Sequence, residues 1–167
     1  MINSLNDIPA HSVLFLDANI FIYHYTGTSE QCKNLIQRCE RKEIIGQTSS
    51  IVLLEVCHRL MILEAKNKEL ITGKNLPNKL KKNPDIIKQL YIYQQSIQNI
   101  LEMGIEVYWA DSECVQKSHQ LRKIYGLLTN DSYNLAIIQE QRIPAIATYD
   151  SDFDHISNLQ VFKPMDI

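Results

Sequence analysis

The sequence predicts an α/β fold, a three-layer α/β/α sandwich whose central parallel sheet is covered by helices on both faces. Two patterns carry that prediction. Short runs of consecutive apolar residues, of which Val13-Leu14-Phe15-Leu16 is the clearest, suit strands buried on both faces, as in parallel sheets. Between them lie longer stretches with helical spacing and their own start and stop residues, and strands spaced by helices imply parallel connections.

In chain order, residues 13–16 form the first strand, which ends abruptly on Asp17 and Asn19 before a short apolar helix over 20–25. Thr28-Ser29-Glu30 opens a helix to about Arg41, with Cys32, Leu35, Ile36 and Cys39 on one face. Residues 44–48 suit a second strand, although Gly46 weakens the pattern. Ser49 or Ser50 caps a helix from Ile51 to about Glu64. From Ala65 to Asn83 the pattern dissolves into Lys, Asn, Gly and Pro, which suits a loop or a poorly ordered helical insertion.

Asn83-Pro84-Asp85 combines an N-cap residue, a proline at the first helical position and a first-turn acid. It predicts one helix running to Met103 and stopping at Gly104. Residues 105–109 are the next strand. Asp111 or Ser112 caps a helix ending near Gly126, and Thr129 caps another from about Asn130 to Gln141. The strand over 145–148 ends on Tyr149-Asp150, and a weak final strand covers 160–162. With no internal repeat and no dividing linker, the 167 residues are expected to form one domain with a lysine-rich insertion around 65–83.

Composition narrows the function classes. No apolar run approaches the roughly 20 residues of a membrane span. The first 32 residues hold no Lys or Arg, and Asp17 interrupts their only apolar stretch, so they do not read as a secretory signal. Cys32, Cys39, Cys57 and Cys114 have neither CxxC spacing nor a dense framework, and read as buried free thiols of a reducing cytoplasm. The net charge of −2 argues against a general nucleic-acid binder, but its distribution is uneven. Residues 66–88 carry net +5, leaving −7 on the remainder. A solvated loop accounts for that segment most simply. A basic patch beside an acidic body also suits an enzyme acting on a polyanion, with Lys79, Lys81 and Lys82 as candidate phosphate contacts.

The acids are more informative. Asp17 and Asp150 both end apolar strands, so a parallel sheet puts them on one edge, where α/β proteins bind ligands. Asp131 lies in the first turn of its helix and Glu55 one turn and a half into another. Each has an innocent explanation: Asp17 as a cap, Asp131 as a dipole-favoured acid, Glu55 as an i+4 partner of Arg59, Asp150 as a turn residue. Convergence would change that, because two like charges about 4 Å apart cost on the order of 4 kcal/mol at an effective dielectric near 20. Clustered acids need shared protons or a cation, and an oxygen-only ligand set points to Mg²⁺ or Mn²⁺.

Leu16-Asp17-Ala18-Asn19, Glu55, Asn130-Asp131-Ser132 and Thr148-Tyr149-Asp150-Ser151-Asp152-Phe153 together resemble the PIN-domain ribonucleases. Among these the chain is most similar to VapC-type toxins of bacterial and archaeal toxin–antitoxin pairs. The likeness runs from Val13 to about Val161, in the family's order and approximate spacing. It implies a PIN-like fold and a Mg²⁺- or Mn²⁺-dependent endoribonuclease. Asp17, Glu55, Asp131 and Asp150 would be its catalytic and metal-binding quartet, with Asn19, Thr148 and Asp152 in support. It also implies an RNA substrate, a cognate antitoxin protein and a homodimer packed through helices near residues 28–63.

Other readings fare worse. A haloacid-dehalogenase-type phosphatase wants a second Asp where this chain has Asn19, which cannot serve as a general acid. Five glycines, none suitably clustered, exclude a dinucleotide fingerprint or P-loop. No GxSxG elbow is present, and Cys57 and His58 diverge along a helix. A catalytically silent PIN-like scaffold would be expected to lack at least one acid, and all four are here. A stand-alone RNA-processing nuclease differs from a toxin only in lacking an antitoxin partner.

Overall fold

Leu14, Phe15 and Leu16 are completely buried in strand β2 (Val13–Leu16), which lies at the centre of the sheet. The computed structural model describes residues 3–167. In it β1 (Asn3–Ser4), β6 (Gln160–Lys163), β5 (Ala145–Ala147), β2, β3 (Ile45–Ser49) and β4 (Glu106–Tyr108) follow one another across one sheet. Every pairing is parallel. The helices are α1 (Ala18–Thr26), α2 (Glu30–Glu40), α3 (Ser50–Asn67), α4 (Leu76–Lys82), α5 (Pro84–Ile87), α6 (Ile92–Glu102), α7 (Ser112–Tyr125) and α8 (Thr129–Glu140). Right-handed crossovers from β2 to β3 to β4 put α1–α6 on one face, and the return to β5 puts α7 and α8 on the other. The contacts agree: α1 packs on α2 and α3, α3 on α6, and α7 on α8.

The start signals act largely as predicted. Ser29 accepts from the Cys32 amide, Ser49 from Val52 and Asp111 from Cys114. Gly46 belongs in β3 for a packing reason. A Cβ there would lie 3.1 Å from both Cys39 Sγ and Leu16 Cδ1, so any larger residue would push the side chains of α2 and β2 away from β3. The cysteines are all free, and burial pushes the Cys39 thiol up to about 12.

Two predictions need correction, and one strand lies where the sequence predicts none. Strand β1 pairs with β6 through Asn3 and Ser4, which carry no apolar pattern. Leu128, not Thr129, precedes α8, and no side chain caps that helix. The single helix predicted from Asn83 to Met103 is broken: α5 ends at Ile87, and α6 begins at Ile92. Asn83 does not cap its helix but turns its amide to the Lys79 carbonyl, 2.8 Å away.

The break has a tertiary cause in Glu64. Its carboxylate, 5% exposed, accepts from the Tyr91 and Tyr93 amides at 3.0 and 3.1 Å and so caps α6 from another helix. Lys68 completes the arrangement, 2.6 Å from Glu64 and 4.2 Å above the Tyr91 ring. The segment that composition assigns to a loop or a poorly ordered helical insertion is therefore packed, with α4 inside it. Ala65, Ile71, Leu80 and Leu90 form a small core of their own.

Candidate active site at the carboxyl edge of the sheet

Asp17 follows β2 in extended conformation (φ −83°, ψ 163°) and starts α1, so its side chain stays at the strand end. It is only 7% exposed, yet its oxygens are well served. Oδ1 accepts from the Ala18 amide at 2.7 Å, and Oδ2 accepts from the Thr148 hydroxyl at 2.6 Å and Asn19 Nδ2 at 2.8 Å. Asn19 staples two strand ends together, because its Oδ1 also accepts from the Tyr149 amide at 2.8 Å. The Thr148 hydroxyl in turn accepts from the Asp150 amide at 3.0 Å, and Asp150 Oδ1 accepts from the Asp152 amide at 2.9 Å. Phe153, completely buried, anchors the far side of this turn. Asn19, Thr148 and Asp152 thus hold the acids' positions through named bonds.

Asp17, Glu55, Asp131 and Asp150 line one pocket of about 370 Å³, together with Asn19, Ile22, Tyr23, Arg59, Tyr149 and Ser151. They come from four separate elements: the end of β2, α3, the first turn of α8 and the loop after β5. Contact between α3 and α8, together with a 2.7 Å bond from Ser49 Oγ at the end of β3 to Asn134 Oδ1 of α8, brings Glu55 and Asp131 to the same edge. Asp152 does not line the pocket, but its charge faces Asp131.

Electrostatics registers the convergence. Burial pushes the Asp131 carboxyl up, and the charges of Asp17, Asp150, Asp152 and Glu55 push it further, to about 6. No side-chain hydrogen bond relieves it among the described residues. Asp17 is also raised, first by burial and then by Glu55 and Asp150, against the lowering effect of Thr148 and Ala18. The carboxylates share a pocket without closing onto a single point. Among the described residues the one trio of ligand atoms within 4.8 Å is Asp111, Cys114 and Glu140. That trio is accounted for internally: Asp111 caps α7, and the Cys114 thiol, pushed up to about 12, donates to Glu140.

The lysines divide. Lys79 donates to the Thr72 carbonyl and is tied to its own loop, whereas Lys81 and Lys82 extend into solvent at the end of α4. A second cavity, lined by Leu76 and Pro77 of α4, shares Asn19, Ile22, Tyr23 and Arg59 with the acid pocket, so α4 borders the site. Arg59 is the cation nearest the chemistry. The innocent reading of Glu55, an ion pair with Arg59 four residues on, does not occur, and Arg59 makes no hydrogen bond or ion pair among the described residues. Its spacing from Glu55 was the only signal in the sequence. Tyr23 and Tyr149 had none beyond lying beside the motif residues.

Fold and site define an all-parallel α/β protein with an acidic cleft at its strand ends. Residues 14–159 match the PIN domain family. Ribonuclease VapC2 of Methanocaldococcus jannaschii is 34% identical over 151 residues, spanning 90% of this chain and 93% of that protein. Among solved structures, VapBC2 from Rickettsia felis bound to a DNA fragment from their promoter matches with a TM-score of 0.59 and 18% identity, over 90% of this chain and 98% of that one. Mycobacterium tuberculosis VapC20, a sarcin-ricin loop cleaving toxin, matches with a TM-score of 0.56 and 13% identity, over 89% and 98%. The chain belongs to the PIN domain family.

Proposed function

We propose that the protein is a divalent-metal-dependent endoribonuclease, the toxin of a toxin–antitoxin pair, with Asp17, Glu55, Asp131 and Asp150 as its active site. One observation carries the reading. Four carboxylates from four elements face one pocket at the strand ends, where burial and then the charges of its neighbours push Asp131 up to about 6. A fold under no functional demand would not accumulate such repulsion. The ribonuclease at 34% identity supports RNA as the substrate.

The donor set is fit for a hard cation. Every group is an oxygen ligand, which suits Mg²⁺ or Mn²⁺ and not zinc. Asp17, Asp131 and Asp150 would hold it, and Glu55 would hold a second ion or orient water. When bound, the ion lowers the pKa of water and offsets charge developing on a phosphodiester. The rest falls to the chain. Thr148 and Asn19 fix the Asp17 carboxylate, and the Asp150–Asp152 turn fixes Asp150.

Two partner readings accompany this. The Rickettsia felis complex supports a cognate antitoxin. Leu54, exposed on α3 beside Ile51, supports the homodimer expected through helices near residues 28–63. No helix of the described residues is long and apolar enough to cross a membrane.

The test is RNA cleavage by the purified protein. Cleavage with Mn²⁺ or Mg²⁺ is expected, abolished by EDTA and by Asp150→Asn. Undiminished cleavage in EDTA would contradict the metal requirement. Absence of cleavage of any RNA would favour the silent scaffold.

A further inference from the structure

The acidic pocket poses a problem for the substrate proposed above. RNA brings negative phosphates to a cleft already lined by four carboxylates. Something other than the acids must draw the strand in and set its register. The pocket rim holds the two kinds of group that single-stranded nucleic acid uses: a cation for the backbone and an aromatic face for a base.

Among the described residues Arg59 is the only cation lining the acid pocket, and it also lines the two cavities that adjoin it along α3. It is exposed and engaged by no hydrogen bond or ion pair among the described residues. It lies four residues from Glu55 and remains free for an incoming anion.

Tyr149 stands between Thr148 and Asp150, so its position is set by the same bonds that set the acids. It remains 45% exposed. Tyr23, one helical turn beyond Asn19 on α1, meets it with ring centroids 5.8 Å apart and planes at 80°. Such an edge-to-face pair braces both rings while using at most one face of each. An exposed, braced ring with a free face beside the chemistry is a stacking platform held ready before substrate arrives.

We propose that Tyr149, braced by Tyr23, stacks a nucleobase next to the scissile phosphate while Arg59 binds a neighbouring phosphate, and that these residues set which bond in the RNA reaches the acids. The inference rests on the ribonuclease reading and adds a substrate-positioning wall to it. Base stacking tolerates every base, so the wall favours unpaired RNA over duplex without strict sequence choice.

The experiment uses the full chain and a short fluorescent single-stranded RNA, with cleavage followed in Mn²⁺ and binding followed separately by anisotropy in Ca²⁺. Tyr149→Ala is expected to weaken binding and raise KM by about 5- to 100-fold, with a smaller change in kcat. Tyr149→Phe keeps the ring and should stay near wild type. Arg59→Ala should weaken binding and lower the slope of log K against log[salt] by roughly 0.7. RNAs with one base removed at successive positions add a second readout. One abasic position should impair the wild type and make no further difference to Tyr149→Ala. Thermal melts establish that each variant is folded. Wild-type values for a folded Tyr149→Ala, or equal losses for Tyr149→Phe and Tyr149→Ala, would overturn the stacking role while leaving the ribonuclease reading intact. A wild-type protein that cleaves no RNA would remove both.

Discussion

Two buried carboxylates, Asp17 and Glu64, sit at opposite ends of the logic by which proteins hide charge. Both are almost out of solvent, and both accept several hydrogen bonds. Burial alone would raise either carboxyl. At Glu64 the Lys68 ammonium and the amides of Tyr91, Tyr93 and Ile92 outweigh burial and hold the group below the usual glutamate value. At Asp17 burial prevails over Thr148 and Ala18, and the charges of Glu55 and Asp150 push the same way. Glu64 has been given partners and no rivals, and Asp17 has been given rivals. A carboxylate held by partners and one crowded by like charges are told apart by their neighbours, not by their depth.

Removing either class of acid should therefore have opposite consequences. The largest effect is on activity: Asp17→Asn or Asp150→Asn should lower RNA cleavage by at least about 100-fold. Glu64→Gln should leave cleavage per folded molecule unchanged, since Glu64 lies outside the acid pocket. Kinetics under conditions where each variant is folded would check this.

Stability should invert the order. Glu64→Gln should destabilise by about 2–3 kcal/mol in urea titration, because a buried charge-assisted network loses its charge. Its pKa is lowered on folding, so its contribution is present above the unfolded value of about 4.5 and lost as pH falls through the folded value. Wild type and variant should thus converge in acid.

Asp131→Asn should do the reverse, and more weakly. Among the described residues the Asp131 carboxyl has no hydrogen bond to lose, and burial followed by its acidic neighbours pushes it up to about 6 from 3.8. Between those values the folded state binds the proton more tightly, so stability falls as pH rises, and above pH 6 the penalty is complete. The metal-free variant should be more stable than wild type by on the order of 1–2 kcal/mol at pH 8, discounted for partial exposure. The gain should vanish below about pH 4. A constant difference across pH would mean that Asp131 is not repelled by its neighbours.

The smallest expected effect concerns the lysines. With Lys79 tied to the Thr72 carbonyl, replacing Lys79, Lys81 and Lys82 by Ala should remove at most two phosphate contacts. The salt slope of RNA binding should then fall by no more than about 1.4. An unchanged slope would leave α4 as a solvated helix.

What was legible in the sequence was written in consecutive residues. The apolar run 13–16 ending in Asp17, the Ser29, Ser49 and Asp111 caps and the Thr148–Asp152 turn are each marked by residues a few positions apart. The acids could be assigned to one edge because a parallel sheet leaves strand ends only one place to go. What escaped acts across the chain. The break between α5 and α6 depends on Glu64, 27 residues before Tyr91. Strand β1 is held by backbone pairing with β6, which leaves no mark on side-chain pattern. Gly46 read as a weakness because its reason lies on α2 and β2. Arg59 read as a partner for Glu55, since helical spacing shows who can meet and not who does.

The central claim, that Asp17, Glu55, Asp131 and Asp150 form one cation site, is tested most directly by the Mn²⁺ dependence of thermal unfolding in wild type, Asp131→Asn and Glu64→Gln. Wild type and Glu64→Gln should both gain stability with rising Mn²⁺ by the same increment, following mass action. Asp131→Asn should start higher at pH 8 in EDTA and gain little. Equal Mn²⁺ responses in all three proteins would place the ion elsewhere and contradict the account.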